Sequence, residues 1–385
     1  MRKRTVLLTL AAIVLVALVA TPILLAPGEA ATQPEPAGPI DEAEQAQIVA
    51  AMAPPKRERP VIAIATFNSG TEVSDFLSAY GVLSRSGVAE VTVVAEKAER
   101  VRLYPSLSID PQETMAAFDA RYPEGADYVV VPAMDPGTDP FIAEWLVAQH
   151  EKGAKIISIC NGSRMIGTAG LLDGRRATGH WSAIKELRDK YPTMEWVPDR
   201  RYVIDDGVAT STGITANIPI MIALVEAIGG RAAAERVAGE LGVANWDARH
   251  NSSAFGLSLE HMKTFVRNNV SFWRQEKVGI PLEDGVDEVA LGFLVDAYSR
   301  TELASVVAVS AGGEPVRSLG GLTIYPDAAA ETADIAEMLE APPSEAPATL
   351  LEAELPRIAE RYDRQTAGIV ALVMEYPWAA GQADR

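Results

Sequence analysis

Cysteine and histidine are almost missing from this 385-residue chain, which has one cysteine, Cys160, and four histidines, His150, His180, His250 and His261. A lone cysteine excludes an intrachain disulfide, and a structural zinc cluster needs more thiolate and imidazole ligands than are here. Basic residues are also short: 34 Lys and Arg face 52 Asp and Glu, a net charge of −18. That balance speaks against a nucleic-acid partner, which requires clustered cations to neutralise phosphates. What is abundant is apolar: 48% of the chain is hydrophobic and 22% charged. This composition excludes wholesale disorder and supplies a sizeable core.

Charge vanishes altogether from Thr5 to Gly28, 24 residues that follow Met1-Arg-Lys-Arg4. About 20 apolar residues span a bilayer, whereas the apolar part of a signal peptide runs about 7–15. The expectation is a cytoplasmic tip at 1–4, a single-pass transmembrane helix at 5–28 and the bulk of the chain outside the cytoplasm, at the cell membrane. A long cleaved signal peptide, ending near Gly28-Glu-Ala30, is the alternative and would leave the bulk secreted. Residues 29–59, rich in Pro, Ala and Glu, predict a flexible linker.

From Val61 short apolar runs alternate with amphipathic stretches. Val61–Thr66, Val91–Val94, Tyr128–Pro132 and Lys155–Ile159 predict strands, and 72–86, 141–150 and 214–228 predict helices. This alternation predicts βαβ units and a mostly parallel sheet over 60–243. A shift of 215 lays Arg85–Pro111 on Arg300–Pro326 without a gap, with ten identities in 27 positions, among them Arg85/Arg300, Val101/Val316 and Ile109/Ile324. A connector at 244–277 therefore leads to a degenerate half-repeat of the same unit at 278–385. It has no second cysteine, and it is expected to close with a helix over 350–376.

Cys160 stands in Ile157-Ser-Ile-Cys-Asn-Gly-Ser163, between a predicted strand and a helix over 165–172. A thiol at a tight strand-to-helix turn is held out by the turn, and the helix N-terminus favours its thiolate. A buried, inert cysteine fits the same local pattern. The longer string Cys160-Asn-Gly-Ser-Arg-Met-Ile-Gly-Thr-Ala-Gly-Leu-Leu-Asp-Gly-Arg-Arg-Ala-Thr-Gly-His-Trp181, with Thr210-Ser-Thr-Gly-Ile214 and Gly229–Val237, resembles the ThiJ/PfpI superfamily. The resemblance is to the branch that serves as sensor domain of AraC-type regulators. It implies a class I glutamine amidotransferase-like, flavodoxin-like three-layer α/β sandwich.

Residue by residue, the resemblance makes Cys160 the elbow nucleophile, Asp75 the acid that hydrogen-bonds its sulfur, and His180 the nearby histidine. Glu72, one turn before Asp75, is the competing acid, and a solvated helix-start charge is its plainer reading. Backbone amides of Ala133 and Asn161 would form an oxyanion hole. Three departures stand out. The loop Pro132-Ala-Met-Asp-Pro-Gly137 is poorer in glycine than is usual there. Ile218-Pro219 replaces an acidic residue, and Asn161 stands where peptidase-like members carry histidine. After 243 comes the degenerate repeat rather than a basic recognition helix.

Three functions are consistent with this pattern. One is a membrane-tethered, cysteine-dependent hydrolase, hydratase or glyoxalase-like enzyme acting on a small electrophile. Another is a non-catalytic ligand-binding or redox-sensing module. The last is a structural dimerisation domain, as a homodimer or an intrachain pseudo-dimer. No metal or organic cofactor is implied, and the expected partner is a small molecule.

Overall fold

A computed structural model of the chain describes residues 38–378. Runs of β-branched and apolar residues form strands β1 (Val61–Thr66), β2 (Glu90–Ala95), β3 (Tyr128–Val131), β4 (Lys155–Ser158), β5 (Tyr202–Asp205) and β6 (Val208–Ser211). They make one sheet in the order β5-β6-β4-β3-β1-β2, with the two-residue strand Glu113–Thr114 on the far edge. Every pairing is parallel except the β5–β6 hairpin. β1 is buried at all six positions, as a parallel strand covered on both faces should be.

Two hydrophobic cores lie on opposite faces of this sheet. One holds Ile62 and Ile64 with helices α2 (Val73–Ser86), α4 (Asn217–Gly229) and α5 (Arg231–Leu241). The other holds Ala63 and Val129 with helix α3 (Pro140–Glu151). The result is the flavodoxin-like three-layer α/β arrangement.

The transmembrane part of the expected fold class is corrected. Among the described residues no helix is long and apolar enough to cross a membrane. α2, with 14 residues, is about 21 Å long against a hydrocarbon core of about 30 Å. The predicted span at 5–28 lies outside the described residues, so neither the anchor nor the cell-membrane location that depended on it is retained.

The predicted linker also differs over its described part. Residues 42–51 form helix α1, capped by the Asp41 side chain accepting from Ala43 N–H. The helix is tied down: the Gln45 amide donates to Tyr202 Oη at 2.9 Å, and Arg200 pairs with Glu44. Met52 is buried beneath, its carbonyl accepting from Tyr128 Oη at 2.7 Å. Proline-rich composition did not prevent ordering because these side chains find fixed partners on the domain.

Farther on, β7 (Glu276–Pro281), α6 (Glu288–Ser299) and β8 (Ala304–Ser310) follow one another in the order of β1, α2 and β2, with β7 and β8 parallel. α6 packs on α2 where glycines permit close approach. A Cβ on Gly292 would lie 3.2 Å from both Ser74 Cα and Leu77 Cβ, and one on Gly81 would lie 3.0 Å from Val289 Cγ2. Ile324 pairs antiparallel with Ile109, its counterpart 215 residues earlier. Antiparallel pairing of equivalent residues relates the two units by an approximate two-fold axis. The expected closing helix is two helices, 350–361 and α7 (Arg364–Val373). Tyr362 ends the first, and Asp363 caps the second by accepting from Thr366 N–H.

Candidate functional site

Cys160, Asp75 and Ala133 follow the C-terminal ends of β4, β1 and β3, the usual place for a site in an open parallel sheet. Cys160 follows β4 with φ 51°, in the left-handed region that a non-glycine residue occupies at a cost. The turn is possible because residue 162 is glycine: a Cβ there would sit 2.2 Å from the Val131 carbonyl oxygen. Asp75 comes from the first turn of α2, after β1, and Ala133 from just beyond β3.

Asp75 Oδ2 accepts the Ala133 N–H at 3.0 Å, while buried Oδ1 has no hydrogen-bond partner. The bond to the cysteine sulfur that the resemblance implies is therefore not made in this state. Burial, with the charge of Asp296 added, pushes the Asp75 carboxyl up to about 7, against the pull of the Ala133 N–H and Arg300. Glu72 is not a solvated charge. It is 2% exposed and caps α2, accepting from Asp75 N–H at 2.6 Å and Ser74 Oγ at 2.8 Å. Burial first, then the charges of Asp296 and Asp75, push it well above the ordinary carboxylate range.

Cys160 is buried, and its thiol is pushed well above its ordinary value. Burial is the main cause, followed by the charges of Asp75, Glu72 and Glu375. A backbone N–H from Asn161 opposes them and is outweighed. Burial and the neighbouring carboxylates oppose the thiolate expected from the helix N-terminus, although the charge of Arg300 also acts on the sulfur. The two oxyanion-hole amides are likewise engaged, Ala133 with Asp75 and Asn161 with the sulfur.

His180 is close by in the chain's architecture but fully occupied. Its Nε2–H donates to the Val373 carbonyl at 2.8 Å, and Nδ1 accepts from Ser182 Oγ at 2.7 Å. Burial lowers its pKa and keeps the ring neutral, although the Glu375 charge acts the other way. No polar atom of the imidazole is left for the cysteine.

Four participants escaped the sequence reading. Arg300, at the end of α6, reaches Glu72 Oε1 at 3.4 Å and Asp296 Oδ1 at 2.7 Å. Asp296 also accepts from Ser74 Oγ at 3.2 Å. Tyr104 feels the charges of Glu72, Asp75 and Cys160, and burial above all holds its phenol protonated. Glu375, after α7, is 4% exposed and takes the N–H groups of Trp181 and Gly213 at 2.9 and 2.7 Å. His250 has its Nε2 3.7 Å from Glu375 Oε2 and stacks on Phe255. The offset of 215 was the one available signal for Arg300; nothing local marked Glu375. Among the described residues no three His, Cys, Asp or Glu side chains converge as a metal would require.

Residues 61–227 match the DJ-1/PfpI family. The chain carries a DJ-1/PfpI domain. Over 98 residues it is 38% identical to the HTH-type transcriptional regulator CdhR of Pseudomonas aeruginosa, covering 25% of this chain and 29% of the regulator. Over 88 residues it is 35% identical to an isonitrile hydratase of Pseudomonas putida, covering 23% and 37%. The matched stretch thus spans about a third of each relative's length. Drosophila melanogaster DJ-1beta is similar over 49% of this chain and 100% of its own, at 23% identity and a TM-score of 0.43. The DJ-1/PfpI domain accounts for the elbow, and the second unit supplies Arg300 and Asp296 to its site.

Proposed function

We propose that this DJ-1/PfpI domain is a small-molecule-binding, sensor-type module in which Cys160 lines the ligand site as a protonated thiol. One observation carries the reading: the imidazole and the loop amide that would assist the sulfur are otherwise engaged. His180 is bonded at both ring nitrogens, Ala133 N–H is taken by Asp75, and carboxylates surround the thiol. A nucleophile needs a free base or a nearby cation, and the cation whose charge acts on Cys160, Arg300, is paired with Glu72 and Asp296. The similarity to transcriptional regulators, over about a quarter of this chain, supports the same reading.

A second reading is favoured by Asp75. Its carboxyl titrates near neutrality and has one unpaired oxygen, so it can present a proton beside a cysteine. Addition of the thiol to a small electrophile, as in hydration of an isonitrile, would use such an acid. Incubation of residues 38–385 with an alkyl isonitrile and with methylglyoxal, against Cys160→Ser, separates the two readings. The binding reading expects no Cys160-dependent turnover of either compound. Turnover that disappears in Cys160→Ser overturns it.

A further inference from the structure

Glu375 occupies a cradle that reads as a binding site filled from within. Its two carboxylate oxygens each accept one backbone N–H, from Trp181 and from Gly213. The fit is tight: a Cβ on Gly213 would lie 2.6 Å from Glu375 Cβ and Cγ. Glu375 itself adopts φ 51°, so the backbone after α7 is bent into the left-handed region to deliver the carboxylate.

Beside this carboxylate lies a cavity of about 140 Å³, lined by Trp181, Trp196, His250, Phe255 and Thr212 among others. Thr212 is 2% exposed and its hydroxyl has no hydrogen-bond partner. A buried hydroxyl without a partner is destabilising, and a ligand bringing a polar atom would relieve it. Paired N–H groups aimed at one point, next to an aromatic-lined space, recognise a small carboxylate with a compact apolar body.

We infer that the Trp181–Gly213 cradle is a carboxylate-binding subsite beside the Trp196, His250 and Phe255 cavity, and that Glu375 holds it in cis until a small carboxylate competes. The inference deepens the binding reading, on which it rests only in placing a ligand at this site. The segment 373–376 then acts as a strap. Val373 holds His180, Met374 accepts Thr215 N–H through its carbonyl, and Glu375 fills the cradle. A competing carboxylate would release the Glu375 end of this strap.

The test is calorimetric titration and thermal melting of Glu375→Gly with butyrate and, as its uncharged counterpart, butyramide, in carboxylate-free buffer. Glycine removes the carboxylate and suits the positive φ. The inference expects Glu375→Gly to bind butyrate and to melt higher as butyrate rises, with no response to butyramide. It expects Glu375→Gln, whose side chain still fills the cradle, to bind butyrate at least ten-fold more weakly. Response to neither compound or equal response to both overturns it, as does equal butyrate binding by the Gln variant. If Glu375→Gly does not fold in buffer, refolding it in each compound reads the same point. Recovery in butyrate alone supports the cradle; recovery in both or neither overturns it. Cys160 chemistry does not enter these titrations, so failure here is separate from failure of the binding reading.

Discussion

Arg300 reaches Glu72 at 3.4 Å, and its counterpart 215 residues earlier, Arg85, reaches Asp287 at 2.8 Å. Glu72 caps α2 and Asp287 caps α6, so the arginine near the end of each helix meets the acid at the start of the other. The exchange fastens the second unit to the first and brings a cation to the edge of the cysteine site.

Removing that cation should leave Glu72 and Asp296 uncompensated. With 31% of its side chain exposed, Arg300→Ala should cost about 2–4 kcal/mol, somewhat under the 3–5 of a fully buried pair. Urea unfolding at neutral pH reads it. Arg85→Ala, at 10% exposure, should cost at least as much. An unchanged midpoint in Arg300→Ala would show that the pair contributes nothing.

Asp75 makes stability depend on pH with a definite sign. Its pKa rises from 3.8 to about 7 on folding, so the folded state holds the proton more tightly. The contribution is complete below about pH 4 and is lost as pH rises through about 7. Asp75→Asn, which cannot ionise, should gain about 2.6 kcal/mol on the wild type between pH 5 and pH 8. A difference independent of pH contradicts the shifted carboxyl.

His180→Ala should read as a structural loss. Stranding the Val373 carbonyl costs about 1–3 kcal/mol, visible as a lower melting temperature, while the pH midpoint of Cys160 alkylation stays in place. A midpoint moved by a full unit would make His180 a partner of the thiol.

Gly162→Ala should not give folded protein. Its methyl would meet the Val131 carbonyl oxygen at 2.2 Å, and the backbone shift needed exceeds the roughly 1–3 kcal/mol of ordinary overpacking. Native-like circular dichroism from this variant would contradict the geometry of the elbow.

Much of this was legible before the structure. Val61–Thr66 is six apolar or β-branched residues and became β1; 72–86 became α2, with Glu72 as its cap. Cys160 at the end of β4 followed from its strand and glycine neighbours. Charge state was less legible. The thiolate expectation considered only the helix behind Cys160, whereas the sulfur's environment is set by Asp75, Glu72 and Glu375 from three-dimensional packing. His180 looked available because its partner, Val373, lies 193 residues away. Arg300 and Glu375 arrive from a second unit and a strap whose local patterns carry no mark of the site they touch.

The most direct test is the rate of Cys160 alkylation by iodoacetamide, followed from about pH 6 to 10, in the wild type and in Asp75→Asn. The account predicts a slow reaction whose midpoint lies above the reference of about 8.5, falling when the neighbouring carboxyl is replaced. A fast reaction with a midpoint below 8.5 would contradict it, and would return Cys160 to the role of an activated nucleophile.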